Sequence, residues 1–354
     1  MIPMYVHKNI KWSQAGVTAL GIFITHDTDT LIKQNFEPIL SKIQNIIHIW
    51  KMRDLTLFGK VTVIKAFLQS QLVYQLSVLP SPDNKFMKHR EKLLFNFLWS
   101  NKPDKIKRST MYCSKDDGGI NMPSIECQDK SLKVAWIQRI FQSRDENWCK
   151  TMFRHLPPGD LMIFKANLHP CDIVPNTLAP KSNFWKSVLH SWSEIHYKEV
   201  NSRDDILDQM LWYNSHLKIQ GKVFFYRQWY SKNIHHIRDL YNDDFSLLSH
   251  NQFCEKYRIN VPFLQYYSVI SSIPRAWKVT LRQRLRVVGN VAVNKALSIQ
   301  ALLKTDKPSK LAYNKFIACK ISVPVQLCHK WKTELGDDDI DYSISKQKTE
   351  HILR

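Results

Sequence analysis

The chain has 354 residues, 44% of them hydrophobic, and a net charge of +20 from 51 Lys and Arg against 31 Asp and Glu. That hydrophobic share is enough to build packed cores and excludes wholesale disorder, and the length fits roughly two or three domains of ordinary size. With 9 glycines, the sequence is a poor candidate for a β-barrel, a Rossmann unit or a P-loop enzyme, which need glycine for positive φ and for close approach to phosphates. An apolar run of the roughly 18 residues that a membrane span needs is absent, so no membrane partner is expected. The 7 cysteines (Cys113, Cys127, Cys149, Cys171, Cys254, Cys319 and Cys328) are scattered and never form C-x2-C. That is the pattern of free thiols in a reducing compartment rather than of a disulfide framework. The start, Met1 to Lys8, carries no apolar signal-peptide core. The expectation is an intracellular protein of the cytoplasm or nucleus. Its large positive charge points to a polyanionic partner, most often nucleic acid; the bland alternative is a basic soluble protein.

Along the chain, Val17 to Thr25 reads as a strand interrupted by Gly21, followed by a polar turn, His26 to Thr30, rich in helix-capping residues. Three helical segments come next. Ile32, Phe36, Ile39, Leu40, Ile43, Ile46, Ile47 and Trp50 recur at three- and four-residue spacing, and Pro38 inside them predicts a helix that starts or kinks there. Leu57, Val61, Ile64, Leu68, Leu72, Leu76 and Leu79 form the second stripe, closed by Pro80-Ser81-Pro82. The third carries Phe86, Leu93, Leu94, Phe97, Leu98 and Trp99, with Lys85, Lys88, Arg90 and Lys92 as its solvated face. Three such helices with short joints predict a bundle. A basic loop, Asn101 to Arg108, leads to the turn Asp116-Asp117-Gly118-Gly119 and a further helix over 128–142. Signals weaken from 150 to 230, where prolines suggest irregular helices and a subdomain boundary near 160–185. Short helices return over 234–290, then to about 304 and over about 309–318.

Several constellations invite a chemical role. Tyr241-Asn242-Asp243-Asp244 spells Y-x-D-D, the hairpin that holds two metals in polymerases, but its upstream flank is not an alternating strand. A loop with helix-capping Asp is the favoured alternative. Asp116-Asp117 reads as a turn. Cys319, Cys328 and His329, with His351 distant, lack the spacing of structural zinc, so buried thiols are the default, and His235-His236 has no supporting carboxylate or Cys. Neither a nucleophile elbow nor a zincin motif occurs. No catalytic or metal residue is therefore assigned. Cations beside aromatics, which can contact phosphates and stack on bases, are the better signal. They are Lys102, Lys105, Lys107 and Arg108 next to Trp99; Lys60 and Lys65 on the second helix; and Arg275, Lys278, Arg282, Arg284 and Arg286 near Trp277. The competing explanation for each is a solvated helix face.

Motif order adds a family likeness. Ala19-Leu20-Gly21-Ile22, Asn35, Pro38-Ile39-Leu40, Trp50, Leu55 to Val61 and Val63-Ile64-Lys65 are followed by Phe97-Leu98-Trp99, Lys102-Pro103, Lys105-Ile106, Gly118-Gly119-Ile120, Met122-Pro123 and Ala135-Trp136-Ile137. Ile237 to Leu240, Phe253, Tyr257, Pro274, Trp277 and Trp331 to Gly336 follow more loosely. This series resembles the C-terminal part of a LINE-type (non-LTR) retrotransposon reverse transcriptase, with Ala19 standing where that family usually has Tyr. The resemblance implies a mainly α fold. A short β segment ending the palm (1–30) would precede a thumb-like helical bundle and Gly-Gly loop (31–145), an irregular linker or helical region (146–230) and a C-terminal helical region (231–354). It implies a piece lacking the catalytic palm, to which Mg²⁺ would belong, and so no polymerase activity in this chain alone. The implied partners are RNA or an RNA–DNA hybrid and the missing catalytic part. The alternatives are a nucleic-acid-binding module retained by its host, and a non-functional relic or helical scaffold.

Overall fold

The computed structural model describes residues 16–321, apart from 155, 160, 174–179, 181, 201, 243, 245 and 283–295. It is mainly helical, with a short two-stranded antiparallel sheet ahead of the helices. Two compact units divide near Glu126, the second running from Cys127 to Lys320. Among the described residues no helix is long and apolar enough to cross a membrane.

In the first unit, β1 (Val17–Ala19) pairs with β2 (Ile22–Ile24) in the register Val17 to Ile24 and Ala19 to Ile22. The segment expected to be one interrupted strand is a hairpin. Its two turn residues, Leu20 and Gly21, have φ of 51° and 76°, the left-handed pair that matches strand twist in a two-residue turn. The Asn35 side chain completes β2. It accepts the Phe23 N–H at 2.8 Å and donates to the Phe23 carbonyl at 2.7 Å, standing in for the neighbouring strand that β2 lacks on that side.

Helix α1 (Thr28–Lys51) begins ten residues before Pro38, because the Asp27 carboxylate accepts the Thr30 N–H and caps it there. Pro38 is carried inside the helix rather than starting it. Phe36, Ile39, Ile43 and Ile47 form its buried stripe. Thr56 caps the second helix by accepting the Gly59 N–H. This helix runs as α2 (Leu57–Val63), a π-helical turn (Ile64–Gln69) and α3 (Ser70–Val78). Asp83 caps α4 (Asn84–Leu98). The four pack as the expected bundle, α1 against α3 and α4, and α2 against α4.

Arg90 is a correction. It is 2% exposed, not part of a solvated face. Position 90 falls three residues after buried Met87 and four before buried Leu94, so the helix period places it on the core stripe. Its guanidinium lies over the rings of Phe86 (3.4 Å) and Phe36 (4.8 Å), with Nε and Nη1 unpaired, and burial pushes its pKa down to about 9.

After α5 (Arg108–Tyr112), the Gly-Gly turn folds back onto that helix: Asn121 N–H donates to the Cys113 carbonyl and Met122 N–H to the Met111 carbonyl, each at 2.8 Å. Gly119 is required there, since a Cβ would stand 2.3 Å from the Cys113 oxygen.

The second unit begins within α6 (Ile125–Gln142), which is buried on most sides and holds an internal ion pair, Lys133 to Asp129 at 3.1 Å. Short helices follow: α7 (Asn147–Phe153), α8 (Met162–Lys165), α9 (Asn183–His196), α10 (Arg203–Leu207), α11 (Arg227–Tyr230), α12 (His250–Tyr257), α13 (Phe263–Ser272), α14 (Arg275–Arg282), α15 (Ile299–Lys304) and α16 (Pro308–Lys320). Residues on both sides of 160–185 share one core. Its largest members, Trp192, Trp212 and Trp229, come from the stretch where the sequence pattern was weakest. Aromatic side chains bury enough area each to hold irregular chain in place of periodic helices. The Trp192 and Trp212 indoles donate to the Phe164 carbonyl of α8 and the Ile234 carbonyl, so the buried indole N–H groups are satisfied inside the core.

Candidate nucleic-acid interface

Lys60 lies in the first turns of α2, set by the Thr56 cap; Lys102 and Lys105 lie in the loop that leaves α4. The fold brings all three to one cleft of about 390 Å³, with Trp99 and Thr56 also on its wall. Lys60 Nζ donates to Ser100 Oγ at 2.6 Å and to the Leu98 carbonyl at 3.4 Å, tying the start of α2 to the end of α4. Burial lowers the Lys60 pKa first; the nearby Asp54 carboxylate raises it and the Lys102 charge lowers it further. Asp54 is the one carboxylate among the lining residues. The Trp99 indole N–H is buried and has no acceptor among the described residues. Chemically the cleft is rich in donors and poor in acceptors, the balance that suits phosphate oxygens.

A neighbouring cleft of about 400 Å³ shares Asp54, Leu55, Lys60 and Ser100 and adds Lys51 and Arg53. The Arg53 guanidinium sits over the Trp50 ring at 4.7 Å. Lys51 and Arg53 were not singled out from sequence. Their signal was there, since cations flank Trp50 just as they flank Trp99. Lys115, 5.2 Å over the Phe58 ring, was missed likewise.

The other sequence-assigned cations disperse. Lys65 is exposed in the π turn; partial desolvation where its ammonium lies near the surface, then the Lys115 charge, lowers its pKa. Lys107 is exposed. Arg108 is engaged internally, by Asp104 at 2.7 Å and Glu91 at 3.5 Å, over the Phe95 ring; those hydrogen bonds and charges raise its pKa against the opposing effect of burial. Arg275, Lys278 and Arg282 belong to the second unit, at helical spacing along α14, with Trp277 and Leu281 buried on its other side. Burial, then Arg282, lowers the Lys278 pKa. Arg284 and Arg286 lie outside the described residues.

Of the Y-x-D-D motif, Asp243 lies outside the described residues. Asp244 accepts the Ser246 N–H and hydroxyl, and Ser249, not an Asp, caps α12. Asp117 accepts the Ser114 hydroxyl within the Gly-Gly turn. Cys319 is exposed rather than a buried thiol, while Cys328, His329, His351 and Trp331 to Gly336 lie outside the described residues. No group of three or more metal-ligating His, Cys, Asp or Glu side chains converges among the described residues.

No protein-family model matches this chain. It is 24% identical over 136 residues to an Arabidopsis thaliana protein that carries the name of a ribonuclease H protein. The matched stretch is 36% of this chain and 22% of that relative, so the chain spans about a fifth of the relative's length.

Proposed function

We propose that this chain is the thumb and downstream region of a LINE-type reverse transcriptase. It grips RNA or an RNA–DNA hybrid for a catalytic palm that it does not itself contain. The observation that carries this is the meeting of Lys60, Lys102 and Lys105 in one donor-rich cleft beside Trp99, within the stretch whose motif order resembles that family. The net charge of +20 and a relative named as a ribonuclease support an RNA-handling setting. On this basis the chain supplies electrostatic hold and positioning, and no residue of it acts on a bond. Mg²⁺ chemistry belongs to the palm.

The test combines binding and catalysis. Fluorescence anisotropy of a labelled RNA–DNA hybrid across a salt series yields affinity and its salt slope for the wild type and for K60Q/K102Q/K105Q. The expected result is a steep slope that becomes shallower in the variant, with no primer extension when Mg²⁺ and deoxynucleotides are supplied. Extension by the pure chain, or an unchanged slope in the variant, overturns it.

A further inference from the structure

A second cleft, of about 610 Å³, lies wholly within the second unit. Its walls come from α8, the end of α9, the turn at His235-His236 and the start of α15. Most of its polar groups are already satisfied. Asn167 donates to the Lys198 carbonyl and to Gln209 Oε1, and Gln209 Nε2 donates to the Asp205 carbonyl. Lys198 pairs with Asp205 at 3.0 Å, and Asp208 pairs with Arg238. His196 Nδ1 faces the Leu297 carbonyl at 2.8 Å.

What remains is donor chemistry. Lys165, exposed at the end of α8, has no ion-pair partner among the described residues, and its charge is felt by both His235 and His236. His235 Nδ1 is buried with no hydrogen-bond partner among the described residues. The Tyr230 ring packs against His235 at 4.8 Å, and Tyr230 is part of the cleft wall. The one nearby carboxylate that turns toward the two histidines, Asp239, is taken up by their backbone N–H groups, at 2.7 and 2.8 Å.

We propose that this cleft binds a terminal phosphate monoester, of a nucleotide or of a nucleic-acid strand end. An ammonium, two imidazoles and a phenol in one small volume match a compact dianion better than a singly charged diester. The volume leaves room for the attached nucleoside, whose base can stack on aromatic rings. Three amides line the cleft: Asn167 and Gln209 are engaged within the protein, and Gln300, exposed near the start of α15, is the one placed to read a base edge, so the phosphate rather than the base carries the proposal.

Isothermal titration of the full chain with adenosine and with uridine 5′-monophosphate tests this. Saturable binding of both is expected, since both carry the phosphate monoester. K165M should weaken both by about tenfold, the loss of one charge-assisted hydrogen bond. Lys165 is exposed, so the melting temperature of that variant should not move. K102Q/K105Q, which alters exposed side chains in the first unit, should bind both nucleotides as the wild type does. No saturable binding, wild-type affinity in K165M, or loss of binding in K102Q/K105Q would each overturn the proposal. A short RNA with a 5′-phosphate binding more tightly than its 5′-hydroxyl twin would identify strand ends as the source. Equal binding of the two RNAs, with nucleotide binding intact, would identify the free nucleotide.

Discussion

Asn35 and Phe23 exchange two hydrogen bonds, the side-chain amide of one closing the backbone edge of the other at 2.7 and 2.8 Å. A third bond, from Asn35 Nδ2 to the Leu31 carbonyl, fixes the amide on its own helix. The hairpin is thus held to α1 by one side chain. Asn35→Leu keeps the volume and strands both Phe23 groups. It should cost about 2 kcal/mol, within the range for orphaned polar groups, in urea denaturation. Tyr74→Phe removes only the bond from the Tyr74 hydroxyl to the Leu20 carbonyl and should cost about 1 kcal/mol or less. Equal losses from the two would contradict this ranking.

Lys102→Ala and Lys105→Ala alter exposed side chains, so each should leave stability within about 0.5 kcal/mol of the wild type. If each lysine neutralises one phosphate, the log–log salt slope on duplex DNA should fall by about 0.9 per substitution. Lys60→Met differs in kind. It should also lower the melting temperature, because the bonds to Ser100 and Leu98 go with the charge.

Arg90 offers a test of a buried charge with no counterion among the described residues. Arg90→Met fills similar space without the desolvation penalty, and should leave stability unchanged or raise it by about 1–2 kcal/mol. Arg90→Ala opens a void between Phe36 and Phe86 and should cost about 2–4 kcal/mol. Chemical denaturation of the two variants gives the comparison. A methionine variant as unstable as the alanine one would show that the guanidinium itself is needed.

Burial holds His196, His216, His235 and His236 below the ordinary histidine value of 6.5. The unfolded chain therefore takes up protons before the folded one does. Stability from these groups is complete above about pH 6.5 and declines as pH falls from there toward the folded-state values. Thermal melts from about pH 7.5 to 5 should show this decline, with a smaller slope in His196→Gln. A flat profile in the wild type would count against neutral, buried imidazoles.

The sequence pattern made the bundle legible because α1, α2–α3 and α4 each carry a stripe at helical spacing, and Pro80-Ser81-Pro82 closes the second. It made the cleft partly legible, since cations next to Trp99 turned out to share a wall with Lys60. It misjudged Arg90, because a charged residue type was weighed above its position on the core stripe. It overlooked the second unit's core because short irregular helices leave no period to read; their burial depends on Trp192, Trp212 and Trp229 meeting across distant turns. His235-His236 looked inert for lack of a metal partner, and only the fold shows that the pair borders a cleft.

The π turn solves a problem of angular phase. Ile64, Leu68, Leu72 and Leu76 are 0–1% exposed although each step between them is four residues. On a regular helix of 3.6 residues per turn, three such steps overshoot whole turns by about 120°, enough to swing one end of the row out to water. Unwinding the helix over Ile64–Gln69 absorbs that excess. The turn therefore amounts to one surplus residue stored inside a helix. Removing exposed Ala66 would shorten the row to steps of three, four and four, about 20° from perfect alignment on an unbroken α-helix. A single-residue deletion in mid-helix, ordinarily ruinous, should here leave the circular dichroism and the melting temperature close to those of the parent chain.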